Sequence, residues 1–345
     1  MQSDISYSKV TGLLMKIYHH IIKWKWLNSN LWFPTKCRNF LVYLVCNSRE
    51  LHASFGRKNP DKVFYVIRDP HRKAGMFAVY NFVLGHIREA TSRGMIPIVD
   101  MQYYPNYYYT DKKTIGRVNW WEYCFKQPFP YTLEEVYHSC KVVLCHGMYD
   151  GQLSEILDED KVRQSHELVL RYMQLSSEAE KICEYEWKKI IGNNKRILGV
   201  KCRGTDYLGL KPFGHSVLPS IQMTIQKIEE LKELWGQEVG KYDAIFVATE
   251  DENILQGLKA HFKDELICND CYRFADTGHT GLFDVISKGH DARYKYEKMM
   301  DYLVTTYCLS RCDALIAPMV NGTLGALRMK GAYERVYIFR LGNYQ

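Results

Sequence analysis

Two doubly wound α/β units are the fold class that this sequence predicts, and three observations carry the expectation: the length, a strand–helix alternation that runs twice, and strands apolar along their whole length. At 345 residues the chain exceeds what one core usually organises, so two packed units are expected. Runs such as 63–67 and 244–248 are apolar throughout, as strands buried on both faces of a parallel sheet must be. Hydrophobic residues make up 46% and charged residues 25%, which excludes a disordered chain.

A basic segment, 1–60, comes first. A buried strand over 63–67 then leads through Gly75 into an amphipathic helix to about residue 93 and a second strand over 96–99, which together make a βαβ unit. Residues 105–130 form an aromatic, turn-rich excursion containing YYPNYYY and NWWEYCFKQPFPY, too rich in rings for a plain linker. A short helix after 131 and a strand over 142–145 follow, and 161–191 reads as one long charged helical stretch joining two halves. The second series has strands at 197–202, 244–248, 266–268, 314–317 and 336–339, with helices over 219–235, 252–262 and 294–311 and a short one from Thr323. Sheets of this kind bind ligands at the carboxyl ends of their strands, so the loops after strands should hold the chemistry.

The formal net charge is +7, and residues 1–60 alone supply it, with nine Lys or Arg against Asp4 and Glu50. The remaining 285 residues are neutral overall, which argues against a nucleic-acid-binding face on the folded body. Within 13–27, Leu14, Ile17, Ile21 and Trp24 recur at helical spacing beside Lys16, Lys23 and Lys25. That pattern fits either peripheral contact with an anionic membrane or a packed helix. No apolar run reaches the roughly 20 residues needed to span a bilayer. The start MQSDISYSK carries no cleavable signal pattern, so the expected location is cytoplasmic, at most peripheral on the inner face of the membrane. Eleven scattered cysteines, several in apolar runs, read as buried thiols rather than a disulfide framework.

Three strand-end loops carry candidate chemistry. Arg203 stands where a buried strand opens into a glycine turn, and its guanidinium can hold a diphosphate bidentately; Asp206 can fix that turn or the arginine. Thr249 and Glu250 border the next strand end, with Thr249 as the expected cap of the following helix and Glu250 in its first turn. Asn321, Gly322, Thr323 and Leu324 form a small-residue turn into a short helix, whose backbone N–H groups make a ready anion site. In the excursion, Tyr107, Tyr108, Trp120 and Trp121 offer rings for stacking on a sugar, and Glu122 offers a carboxylate for its hydroxyls; a packed core is the alternative. Asp158-Glu159-Asp160 matches a metal-holding Asp-x-Asp, but it sits in the charged run SEILDEDKVRQ, so a solvated helix face is the better reading.

The blocks GVKCRGTDY, KPFGH, FVATED and YLVTTYCLSRCDALIAPMVNGTLGAL, in that order, resemble the donor half of the fucosyltransferase superfamily of core α-1,6-, nodulation and protein O-fucosyltransferases. The upstream GMFAVYNFVLGHIREA and VNWWEYCFKQP look like the acceptor half of bacterial polysaccharide-cluster relatives, so the resemblance covers about 63–345. It implies a GT-B-like fold, two Rossmann-like domains facing a cleft, with an acceptor side over 61–192 and a donor domain over 193–345. Of the family pattern His-x-Arg-Arg-x-Asp, Arg203 and Asp206 match; Lys201 and Gly204 replace the histidine and the second arginine, so roles tied to those two do not carry over. Tyr207 and Lys211 likewise depart from the family's acceptor-activating residues, and His215 in KPFGH is the candidate replacement.

The implied activity is an inverting, metal-independent transfer of fucose from GDP-fucose to a glycan hydroxyl in surface-polysaccharide synthesis, with no cofactor beyond the nucleotide-sugar donor. A polysaccharide pyruvyl transferase on a similar scaffold and a catalytically silent glycan-binding protein are the alternatives.

Overall fold

A computed structural model describes residues 7–27, 50–68, 74–103, 116–145, 153–204, 210–275, 285 and 292–345. The chain forms two compact units. The first comprises Met1–Gly75, Phe82–Gly151 and Leu170–Ser176, and the second Met76–Asn81, Gln152–Val169 and Ser177–Gln345. Strand–helix alternation alone would leave 76–81, 152–169 and 177–192 with the first unit.

In the first unit, β1 (Glu50–Ala53), β2 (Phe64–Ile67), β3 (Ile96–Val99) and β4 (Val142–Cys145) form a sheet of order β1-β4-β2-β3. Strands β4, β2 and β3 are parallel, as their apolar runs predict, whereas β1 adds antiparallel to β4 with Glu50 opposite Cys145. The sheet is therefore mixed. Helix α1 (Lys9–Leu27) packs on β1, and Gly12 lies so close to the Ser54 carbonyl that any Cβ would collide with it. Met15 and Ala53 join Phe64, Val66, Ile98, Val142 and Leu144 in the core. Each of these side chains except that of Ala53 contributes about 1.5–3 kcal/mol by leaving water. Helix α2 (Met76–Ser92) joins β2 to β3, and α3 (Leu133–Val136), capped by Thr132 accepting from the Glu135 N–H, precedes β4.

The expected single helix over 161–191 is two, α4 (Glu159–Tyr172) and α5 (Ser177–Ile191). Between them, the Gln174 carbonyl accepts from Lys126 N at 2.8 Å and Ser176 N donates to the Cys124 carbonyl at 2.9 Å. Pairing with that segment of the first unit replaces helical hydrogen bonds, which tertiary context routinely does to propensity.

The second unit holds five parallel strands, β5 (Ile197–Lys201), β6 (Ala244–Ala248), β7 (Leu266–Ile267), β8 (Ala314–Pro318) and β9 (Arg335–Phe339), in the order β7-β6-β5-β8-β9. Alternate residues face opposite sides. Leu198, Val200, Ile245, Val247 and Ile316 share a core with Ile228 and Leu231 of α6 (Ile221–Val239) and Leu258 of α7 (Glu252–Phe262). On the other side, Gly199 abuts Leu309 of α8 (Ala292–Arg311). Ser220 caps α6 by accepting from Met223 N. The short helix expected from Thr323 begins two residues earlier, as α9 (Asn321–Lys330). No described helix is long and apolar enough to cross a membrane.

Candidate functional site

The order of the second sheet reverses between β5 and β8, since β6 and β7 add on one side of β5 and β8 and β9 on the other. At such a switch point the loops leaving adjacent strands part and open a crevice above their carboxyl ends. The loop after β5 begins at Cys202 and includes Arg203; the loop after β8 leads into α9. Both were candidate loops on sequence alone.

Lys201, the last residue of β5, and Arg203 converge on Glu250, which follows β6. Lys201 Nζ lies 3.0 Å from Glu250 Oε2, and Arg203 Nη1 lies 2.5 Å from Oε1. Burial alone would raise the Glu250 carboxyl, but the charges of Lys201 and Arg203 outweigh it and hold the group down at about 2. Glu250 is thus ionised at neutral pH, a carboxylate held between two cations. Lys201 Nζ also stands 5.4 Å from the centroid of the Tyr302 ring on α8, a cation–π contact on a side chain only 2% exposed.

Two expectations at the β6 end are corrected. The cap of α7 is Asp251, whose Oδ1 accepts from Ile254 N at 3.0 Å, and Thr249 is buried with its hydroxyl accepting from Asp251 N. Glu250 stands before the cap rather than in the first turn, and its carboxylate pairs with Lys201 and Arg203. Gly204 is explained by the same closeness, because a Cβ there would run into the Asp251 carboxylate and Ile254. A longer side chain at that position is incompatible with this packing of the β5 loop on α7.

At the β8 end, α9 starts after Val320, which supplies no side-chain cap. The first N–H groups of a helix have no intrahelical acceptor, and here they belong to Asn321, Gly322 and Thr323, the last two buried. Leu324 is fully buried and its N–H already donates to Val320 O at 3.1 Å, so it is withdrawn as a ligand contact. The Thr323 hydroxyl donates to Pro318 O at 2.8 Å and is likewise spent on the turn. Gly322 passes beneath Tyr302, where a Cβ would come 2.9 Å from the phenol oxygen.

Asp206, Tyr107 and Tyr108 lie outside the described residues. Trp120 and Trp121 are each 2% exposed, in a 3-10 turn over Trp120–Tyr123, with Trp121 stacked on Phe125. Their rings are core rather than an open stacking platform, which corrects the binding role given to them. Glu122 is exposed and accepts hydrogen bonds from Asn119 and Gln127. His215 is exposed on a turn whose carbonyl accepts from Tyr344 N at 2.8 Å, so its backbone is tied to the C-terminal tail. Asp158 accepts from Lys161 N at the start of α4, and Asp160 is 80% exposed, as a solvated helix terminus requires. Among the described residues no group of three or more His, Cys, Asp or Glu is placed to hold a metal ion, and the described cysteines are free thiols.

Residues that sequence reasoning missed complete the picture. Asn81, Glu155 and Arg328, far apart in the chain, join Asn321 in one buried polar chain within the second unit. In the first unit, Asp100 directly follows β3 and accepts from the Tyr137 hydroxyl at 2.5 Å and from Gln102 N at 2.9 Å, while burial raises its carboxyl. A charged residue immediately after a buried apolar run was the available signal for Asp100.

No protein-family model matches the chain, and no curated protein matches it by sequence. Solved structures similar to it include NodZ α-1,6-fucosyltransferase soaked with GDP-fucose, which is 13% identical, covers 81% of this chain and 96% of that one, and gives a TM-score of 0.49. A point mutant of Arabidopsis thaliana FUT1 in complex with GDP is 11% identical over 99% of this chain and 82% of that one, with a TM-score of 0.48. POFUT1 in complex with GDP is 12% identical over 81% and 99%, with a TM-score of 0.37. The chain's structural neighbours are thus fucosyltransferases, while the α/β assignment itself rests on the strand order and register.

Proposed function

We propose that this chain is a glycosyltransferase whose donor site lies at the carboxyl ends of β5, β6 and β8, and that it moves fucose from GDP-fucose to a glycan hydroxyl. The observation that carries the reading is the Lys201–Glu250–Arg203 cluster at the switch point of a parallel sheet. In the reaction the acceptor oxygen bonds to the anomeric carbon as the bond from that carbon to the β-phosphate oxygen breaks, and the acceptor proton passes to a base. With one displacement the anomeric configuration inverts. Negative charge grows on the departing diphosphate, so a fixed guanidinium and helix N–H groups stabilise the transition state more than the ground state. The Arg203 guanidinium, with Lys201 buried behind it, and the N-terminus of α9 supply what a metal supplies in other transferases. The acceptor is assigned to the first unit through Tyr107, Tyr108 and Glu122. Asp206 is assigned to the β5 loop and His215 to the base role. Surface-polysaccharide synthesis is the context that the sequence resemblance implies.

Release of GDP from GDP-fucose, slowly without acceptor and faster with it, is the expected activity, and it should survive excess EDTA. Asp158→Asn with Asp160→Asn should change little. Activity lost in EDTA and in that double variant would overturn the metal-independent reading. No consumption of GDP-fucose, with glycan still bound, would favour a silent binding protein.

Membrane contact through α1 is part of the same proposal. Val10, Leu13, Leu14 and Ile17 are exposed at 67%, 60%, 39% and 43%, at spacings that place them on one helix face, with Lys9 and Lys16 exposed nearby. Ile21 and Trp24, which would extend the stripe, lie outside the described side chains. The chain should float with anionic vesicles and not with neutral ones, and Leu13→Glu with Ile17→Glu should abolish flotation. Equal recovery with both vesicle types would refute the contact.

A further inference from the structure

Arg328 lies two turns beyond Asn321 on α9, on the same face, and is 1% exposed. Its Nη2 pairs with Glu155 Oε2 at 2.5 Å, so the buried charge is neutralised. Its Nη1 donates to Asn81 Oδ1 at 2.7 Å. Asn81, itself 2% exposed in the part of α2 that belongs to the second unit, donates from Nδ2 to the Asn321 carbonyl at 3.3 Å and to Asn321 Oδ1 at 3.2 Å.

Hydrogen-bond polarity fixes the sense of every group in this chain. A guanidinium only donates, so Asn81 must turn its oxygen to Arg328 and its nitrogen to Asn321. An amide nitrogen also only donates, so Asn321 must turn its oxygen to Asn81. Its own Nδ2 is then the end of the carboxamide turned away from Asn81, at the first residue of α9.

We propose that Arg328 and Asn81 are positioning residues that order the Asn321 carboxamide so that it presents Nδ2, a donor, to the diphosphate of the nucleotide. The inference rests on the donor site proposed above. Turned the other way, Asn321 would set a carbonyl oxygen against phosphate oxygens and repel them. A signal in three separated segments, Asn81, Glu155 and Arg328, therefore determines the chemistry displayed at the end of β8.

Two substitutions at Asn81 test this. Asn81→Asp keeps an acceptor for Arg328 but removes the donor, so the Asn321 amide should reverse to give its Nδ2 to the new carboxylate. Asn81→Leu removes the donor without adding charge. Calorimetric titration of the full chain with GDP and with guanosine separates phosphate recognition from base recognition. Each variant should bind GDP about tenfold or more weakly than wild type, the size expected for one hydrogen bond to a charged group, with guanosine affinity unchanged. Arg328→Lys, which still donates to Asn81 and pairs with Glu155, should retain most of the affinity. GDP affinity left intact by Asn81→Asp, or lost only in that charged variant and not in Asn81→Leu, would overturn the relay. Equal losses for GDP and guanosine would also overturn it, because they would mark a purely structural role. Failure of the wild-type chain to bind GDP would instead remove the donor site and the relay with it.

Discussion

Arg203→Ala should lower turnover at least about a hundredfold while the chain stays folded, the effect seen when a preorganised donor to developing negative charge is removed. Arg203 is the cation that stands beyond the strand end, 10% exposed, whereas Lys201 is sealed at 2% beneath it. Arg203 is therefore the cation of the two that the proposed mechanism sets against the leaving diphosphate. Arg203→Lys should also be poor, because a point charge does not reproduce the planar fork. Loss in turnover with little change in GDP affinity would place the contact in the transition state; near-normal turnover in the alanine variant would remove this residue from the mechanism.

Glu250→Gln should be among the most destabilising single changes in the second unit. It removes the carboxylate that stands between Lys201 and Arg203, and breaking a buried ion pair from one side costs about 3–5 kcal/mol. The pH dependence has a defined sign. The Glu250 carboxyl is held at about 2, below its ordinary value near 4.5, so its contribution is complete above 4.5 and is lost as pH falls from there through 2. That contribution is about 3 kcal/mol at neutral pH. Urea unfolding at pH 7 and pH 3 should show wild type losing stability between the two and Glu250→Gln losing less. Identical pH profiles would mean that Glu250 is not the ionised partner of the two cations.

Much of this arrangement was legible in the residues. Strands such as AIFVA and ALIAP are apolar at every position, so the parallel sheet of the second unit followed from period and length alone. Arg203 and the turn before α9 were marked by their place after such runs. Strand β1 was not foreseen, because ELHA is short, mixes charge with apolar residues, and is a strand through its pairing with β4. The ion pairing of Glu250 was hidden for a related reason. A glutamate before a helix looks like a first-turn residue until the Lys201 and Arg203 side chains are known to end within 3.0 Å of it. The burial of Trp120 and Trp121 was equally invisible, since an aromatic cluster has the same composition in a core as on a sugar-binding surface. Asn81 and Arg328 are separated by 247 positions, and only the fold shows that they touch.

Calorimetric titration of the intact chain with GDP, UDP and CMP, followed by turnover assays with the matching nucleotide sugars, tests the central claim most directly. GDP should bind tightest, Arg203→Ala should bind it without turning over, and GDP-fucose should be consumed with release of GDP. Tighter binding of UDP or CMP, with GDP-fucose left intact, would contradict the assignment while leaving the α/β fold in place.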